Sequence, residues 1–270
     1  MIIDCHTHLG RNDHIRASVD ELLHSMDGAK IDKALVFAGE LNDITTSQML
    51  EEIKNHKDRL MGVASWDTEY RQKHRAALAF EQVDRLIDLY KAKEIVAVKF
   101  YTGYDHFYPR EVGGEVLWRM NEVGCPAIFH SGDCLNSVKC AKLKYAHPLH
   151  IDEVAVDFPK MNFIIAHMAY PWVKDAAEVC YKNANVYSDI SGFVYGEFEG
   201  IDKIKFQRTL QEFLSVAGSD KLLFGTDWPI SNQHSYVEAL DWCITTSLEK
   251  LPISAKELTQ NTVRAFNLKV

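Results

Sequence analysis

The strongest constraint on the fold is a rhythm in which short apolar, β-favouring runs return at fairly even intervals, each followed by a stretch with helical periodicity. The runs are Ile2 to Cys5, Lys33 to Ala38, Leu60 to Ser65, Ile95 to Phe100, Pro126 to Phe129, Asn162 to Ala166, Asn185 to Asp189 and Lys221 to Gly225. The spacing between them predicts helices over roughly Val19 to Gly28, Thr46 to His56, Gln72 to Tyr90, Gly114 to Glu122, Ile151 to Phe158, Val173 to Tyr181, Asp202 to Ala217 and Tyr236 to Ser247. Parallel strands need long crossovers and, when covered on both faces, read as unbroken apolar runs, so this alternation points to an α/β fold with a parallel sheet.

Eight such units close most economically into one (β/α)8 TIM barrel, a single domain over residues 1–270. Ser18 with Glu21 and Ser254 with Glu257 have capping-box spacing, the second pair opening an extra C-terminal helix that ends near Phe266. The sequence carries no Pro/Gly/Ser-rich linker, low-complexity tract or tandem repeat. A doubly wound open sheet is the alternative, but no glycine-rich phosphate loop follows an early strand.

With 47% hydrophobic residues in 270, the chain has material for a sizeable core, and its net charge of -8 gives no general attraction to nucleic acid or an anionic membrane. Neither is expected as a partner. There is no basic n-region, cleavable h-region or membrane-length apolar stretch, so a cytoplasmic location is expected. The cysteines (Cys5, Cys125, Cys134, Cys140, Cys180, Cys243) form no Cys-x-x-Cys pair and read as reduced thiols, with Cys134 and Cys140 sharing a loop that can respond to redox change.

Barrel active sites are built on the C-terminal rim of the strands, and polar residues collect at the strand ends. His6 and His8 alternate just beyond the first run, so an extended backbone projects both to one face. Lys99 closes the fourth run, His130-Ser131-Gly132-Asp133 follows the fifth, His167 the sixth, Asp189 and Ser191 end the seventh, and Asp227-Trp228-Pro229 follows the eighth. Taken singly, each histidine reads equally as a hydrogen-bonded rim residue. Four histidines and an aspartate at the ends of four strands are together the ligand types that zinc or a similar divalent ion takes, with a position left for water.

Ile-Asp-Cys-His6-Thr-His8, His130, Ile-Ile-Ala-His167, Leu-Phe-Gly-Thr-Asp227-Trp-Pro and the closing Asn261-Thr-Val-Arg-Ala-Phe-Asn-Leu run through the chain in order. In these features the sequence resembles the amidohydrolase superfamily, and within it the amidohydrolase-related branch that includes aminocarboxymuconate-semialdehyde decarboxylase. The resemblance implies a centre with one divalent metal, zinc first and manganese second. His6, His8, His130 and Asp227 would be ligands, His167 a proton-handling group, and Asp227 both ligand and proton acceptor. Two metals are implied only if Lys99 is carboxylated and bridges them; otherwise Lys99 holds an anionic substrate group or pairs internally with Asp4 or Asp189.

Arg11 follows the first strand, Tyr101, Tyr104, Phe107, Tyr108 and Arg110 lie after the fourth, Lys139, Lys142, Lys144 and Tyr145 after the fifth, and Trp228 adjoins Asp227. Cations pair with carboxylate and rings stack, so a small carboxylated or cyclic substrate is expected, with Arg11, Tyr101, Tyr104, Arg110, Lys139 and Trp228 as candidate contacts. The decarboxylases of this branch are, as a group, longer chains with arginines reaching the substrate carboxylate, and no matching arginine can be placed here. Metal-dependent hydrolysis of a small ester, lactone or amide is therefore the leading expectation. Nonoxidative decarboxylation of a carboxylated aromatic or muconate on the same metal is the alternative, and a non-catalytic binding protein the third. A homodimer would be in keeping with barrels of this kind.

Overall fold

A computed structural model describes residues 1–11, 16–39, 43–66, 76–112, 114–193, 200–246 and 250–269. Eight strands, β1 (Ile3–His8), β2 (Lys33–Phe37), β3 (Leu60–Ser65), β4 (Ile95–Phe100), β5 (Ala127–Phe129), β6 (Phe163–Ile165), β7 (Val186–Asp189) and β8 (Leu222–Leu223), form one sheet in chain order. Every neighbouring pair is parallel. The residues after β8 bring the last strand back to the first: Cys5 donates its backbone N–H to Phe224 at 2.8 Å, Asp227 to His6 at 2.8 Å and His8 to Trp228 at 2.8 Å. The result is a (β/α)8 barrel.

The even and odd residues of each strand divide between two apolar layers, because side chains on a strand alternate faces. Ile3, Cys5, Leu35, Phe37, Val63, Ala97, Ile128, Ile164 and Leu223 form one cluster with Ala265 and Phe266 from the end of the chain. Their partners Ala34, Val36, Val98, Ala127, Phe129, Phe163 and Ile165 belong to a larger cluster with the surrounding helices. Burial on both faces explains why these strands read as continuous apolar runs.

Among the described residues the helices of eight residues or more are α1 (Val19–Ala29), α2 (Thr46–Ile53), α3 (Ala76–Lys91), α4 (Gly114–Val123), α5 (Leu149–Asp157), α6 (Val173–Lys182), α7 (Ile201–Ala217), α8 (Gln233–Thr245) and α9 (Ala255–Ala265). Ser18 and Glu21 form the full capping box that their spacing predicts, and Ser254 caps α9 by accepting from the Glu257 N–H. Several boundaries differ by a few residues, the helix expected to reach His56 ending at Ile53 and the eighth strand spanning only Leu222–Leu223, and two of the shifts have clear local reasons. The first strand continues through His6 and His8, because β2 and the residues after β8 supply hydrogen-bond partners for a polar strand end. Helix α8 starts at Gln233 because Asn232 caps it, its side chain accepting the Ser235 N–H at 3.1 Å. The helix expected from Gln72 is described from Ala76, residues 72–75 lying outside the described residues. α9 then ties the ends of the barrel together: Asn261 donates to the carbonyls of Ser219 and Leu222, both at 2.8 Å, and Thr259 to that of Met1 at 3.0 Å. Among the described residues no helix is long and apolar enough to cross a membrane.

Candidate metal centre

The site begins with an irregularity in β1. Asp4 lies opposite Ala34 and Thr7 opposite Val36, so β1 advances three residues while β2 advances two. One extra residue on one strand is a bulge, and a bulge switches which face the following side chains occupy. Ile3 and Cys5 therefore point into the inner apolar cluster, and after the switch His6 and His8 both come against the Phe37 ring, at centroid distances of 4.3 and 5.3 Å. The bulge leaves the His6 N–H without a strand partner, and the Asp4 carboxylate accepts it at 3.1 Å. Asp4 also accepts from Thr226 N (3.0 Å), Thr226 Oγ1 (2.6 Å) and Gln233 Nε2 (2.8 Å). Burial nevertheless pushes Asp4 up to about 6, those hydrogen bonds opposing the shift.

His8 Nε2 lies 2.9 Å from Asp227 Oδ1, and His6 Nε2 3.6 Å from the same oxygen. The ligand atoms of His6, His8 and Asp227 all fall within 4.8 Å of one another. Tetrahedral zinc with bonds of roughly 2.0–2.1 Å holds its ligand atoms about 3.3 Å apart, so these two separations bracket what an ion would require. The donor set, two imidazoles and a carboxylate, fits a divalent ion in chemistry as well as spacing. Asp227 reaches this position from a left-handed backbone, φ 66°. That conformation costs a non-glycine residue on the order of 1 kcal/mol, less for aspartate than for most.

Burial and the nearby Lys99 ammonium push His6 down to about 3, against the pull of Asp189 and Asp227, so the ring is neutral. Its contact with Asp189 is therefore a hydrogen bond, Nδ1–H donating to Oδ2 at 2.9 Å, and Nε2 keeps the lone pair that a metal needs. Burial alone would raise both aspartates. The His8 hydrogen bond and the surrounding imidazoles hold Asp227 well below the usual carboxylate range, and His6, His167 and Ser191 do the same for Asp189. Lys99 is fully buried, its Nζ 3.5 Å from His6 Nε2 and over the rings of Phe37 and Tyr101. Burial lowers it to about 8, with Asp189 and Asp227 pulling the other way, which leaves an ammonium at neutral pH.

A second group shares His6. Its ligand atoms, with those of His167 and Asp189, also fall within 4.8 Å of one another. Asp189 ends β7 and accepts from His6 Nδ1, from His167 N (3.0 Å) and Ser191 N (3.1 Å), and from the Ser191 hydroxyl. His167 sits just past β6 in a turn where His167, Met168 and Ala169 have φ of 62°, 47° and 48°. This unusual left-handed run turns the imidazole so that its Nδ1 lies 2.9 Å from Ser191 Oγ and its ring 4.8 Å from that of His6. Gly192, at φ +68°, has to be glycine on two counts, since a Cβ there would also stand 2.6 Å from His167 Nδ1.

His130 stands outside the His6, His8 and Asp227 convergence: its Nε2 donates to the Asp133 carbonyl at 2.9 Å, and its ring packs on Tyr104 at 4.8 Å and His167 at 5.1 Å. Burial first, then His167 and Lys99, keeps it well below its ordinary value and hence neutral. Tyr101 is buried with its hydroxyl donating to Ala38 O at 3.3 Å, Tyr104 accepts from Leu135 N at 2.8 Å, and Trp228 is buried beside Asp227. Arg110 and Lys139 turn outward, Arg110 to Glu153 at 3.6 Å and Lys139 to Asn136 at 2.6 Å. The side chain of Arg11 lies outside the described residues. Lys99 meets His6 and two rings, while Asp4, one of its expected internal partners, is engaged by Thr226 and Gln233. Asp189, expected only as a partner of Lys99, and Ser191, with no expected role, are brought into the site by the fold; their place at a strand end is the one sequence signal for them.

Fold and site together define a (β/α)8 barrel whose rim carries histidine and aspartate groups able to bind a metal. The chain belongs to the amidohydrolase family, whose model matches residues 3–266. It is 27% identical over 103 residues to protein fluG of Emericella nidulans, a match spanning 38% of this chain and 11% of that protein. Among solved structures it resembles one described as a probable 2-pyrone-4,6-dicarboxylic acid hydrolase from Acinetobacter baumannii with citric acid bound (TM-score 0.60, 16% identity, 98% of this chain and 91% of that one). It also resembles 2,6-dihydroxybenzoate decarboxylase from Rhizobium (TM-score 0.65, 15% identity, 98% of each chain). Both likenesses are likenesses of fold.

Proposed function

We propose that the protein is a metal-dependent hydrolase acting on a small ester, lactone or amide that carries a carboxylate. The observation that carries this reading is the meeting of His6 Nε2, His8 Nε2 and Asp227 Oδ1 at spacings suited to one divalent ion, zinc first, with a further imidazole, His167, beside them. His130, which stands outside this convergence and has its Nε2 engaged by Asp133 O, would be the fourth ligand of this reading through its other ring nitrogen. When bound, the ion supplies a polarised substrate carbonyl and a water acidified toward neutrality. His167 holds and moves the proton, and Asp227 is a second acceptor for it. Lys99, an ammonium between two rings, pairs with an anionic group of the substrate, and Tyr104 walls the pocket next to His130. Solvent exclusion by Trp228 and Tyr101, both buried at the rim, strengthens each of these charges.

A carboxy-lyase on the same centre is the second reading, favoured by the likeness to 2,6-dihydroxybenzoate decarboxylase and by a buried ammonium beside the ligands. One experiment separates them. Protein prepared without chelators is assayed for metal and screened on esters, lactones, amides and carboxylated aromatics in 18O-labelled water. The hydrolase is expected to bind about one equivalent of metal and to place label in the product. Release of carbon dioxide without label establishes the lyase, and absence of both bound metal and zinc- or manganese-dependent turnover refutes the two together.

A further inference from the structure

The hydrogen-bond inventory around Ser191 admits one arrangement of protons. Its hydroxyl has one proton and two lone pairs, and three partners surround it: Asp189 Oδ1, His167 Nδ1 at 2.9 Å and His6 Nδ1 at 3.1 Å. Two oxygens in hydrogen-bond contact need a proton between them. Asp189 cannot be its source, since that carboxylate already receives the N–H groups of His167 and Ser191 and the His6 ring N–H. Ser191 is therefore the donor to Asp189, and its lone pairs face the two imidazoles. An imidazole nitrogen that faces a lone pair at 2.9 Å must itself carry a proton. His6 shares its Nδ1–H between Asp189 and Ser191, and His167 gives its Nδ1–H to Ser191.

We propose that Ser191 is a positioning residue: through one hydroxyl it ties His167 to the Asp189 carboxylate, so that a single carboxylate fixes both His6 and His167 as their Nδ1–H tautomers. The consequence differs for the two rings. For His6 it leaves Nε2 as the electron pair pointing to Asp227 and the metal position, where its separation from Asp227 Oδ1 is 3.6 Å. For His167 it leaves Nε2 as the atom that takes up a proton. This part rests on the proton-handling role proposed above for His167. The surroundings are built for the contact: Ser191 and Asp189 are fully buried, and Gly192 keeps the Nδ1 side of the His167 ring clear, where a Cβ would intrude to 2.6 Å. The same inventory separates the two His6 groups. Asp189 has both oxygens occupied by donors, so the His6, His167 and Asp189 group is a hydrogen-bonded relay and not a second metal position.

The test reads the tautomers directly. Protein labelled with 15N at histidine is loaded with zinc, and long-range proton–nitrogen correlations are recorded, the His167 signals being those lost in His167→Gln. In the native protein His167 is expected to show a protonated Nδ1 and an unprotonated Nε2. In Ser191→Ala the Nδ1 resonance is expected to move toward the unprotonated position while bound zinc stays within two-fold of native, and Ser191→Thr, which restores the hydroxyl, is expected to restore the native pattern. A native His167 unprotonated at Nδ1, or a Ser191→Ala spectrum unchanged at His167, overturns the proposal. The native spectrum needs no variant to fold. The same correlations on zinc-free protein keep the two readings apart: a chain that binds no zinc but shows the His167 Nδ1–H removes the metal centre and leaves the relay standing.

Discussion

Two histidine–carboxylate groups share one imidazole at the rim of this barrel, and they differ in how their carboxylates are used. Asp227, held in a left-handed backbone, meets the Nε2 atoms of His8 and His6 through Oδ1, at 2.9 and 3.6 Å. Asp189 ends a regular strand and receives two backbone N–H groups, a hydroxyl and the His6 Nδ1–H. Both groups satisfy the spacing of metal ligands. Spacing alone therefore does not identify a metal corner; the supply of donors does. A carboxylate saturated by backbone and hydroxyl donors orients the ligand behind which it stands, whereas one met only by imidazole nitrogens, like Asp227, has partners whose ring proton a metal ion can displace.

The largest expected effect breaks the first group and spares the second. Asp227→Ala and His8→Ala are expected to drop zinc to below about 0.2 equivalents at micromolar metal, read by elemental analysis after gel filtration. His167→Gln should do the reverse, leaving zinc within two-fold of native and lowering turnover of whichever substrate the screen finds by about 10²–10⁴-fold. Equal metal loss in all three variants would erase the distinction between the groups. Asp189→Asn touches both, since His6 loses its charged acceptor. It is expected to weaken zinc roughly 10- to 100-fold by competition with a chelator, without abolishing binding. The smallest change is Gly192→Ala, which sets a Cβ against His167 Nδ1 at a left-handed position. It should lower unfolding stability by about 1–2 kcal/mol in urea and perturb the His167 signals with zinc retained.

Much of the architecture was legible because each strand is covered on both faces and therefore unbroken in its apolarity, as in Ala34–Phe37 or Phe163–Ile165. The strand ends were legible too, since His6, His8, His167 and Asp227 interrupt that apolarity at a rim. What was not legible is what the third dimension adds. No property of Asp-Cys-His announces a bulge, and the parity switch that brings His6 to the face of Cys5 depends on pairing with β2. Asp189 looked like an ordinary strand terminus because its partners lie 183 and 22 residues away. Charge alone makes Arg110 and Lys139 candidates, but long cationic side chains on loops turn to water or to nearby polar groups, as these do.

The seam that closes the barrel also sets when the site can exist. Asp227 is 219 residues from His8, and Asp4 is 222 from Thr226, yet these contacts hold the first strand to the last. Contacts so far apart in sequence carry a loop-closure entropy that no local structure offsets. During synthesis the histidine pair emerges 219 residues before its aspartate. The three-residue group that could hold a metal ion is therefore complete only once the last strand has docked on the first, and a chain cut before residue 227 lacks its carboxylate.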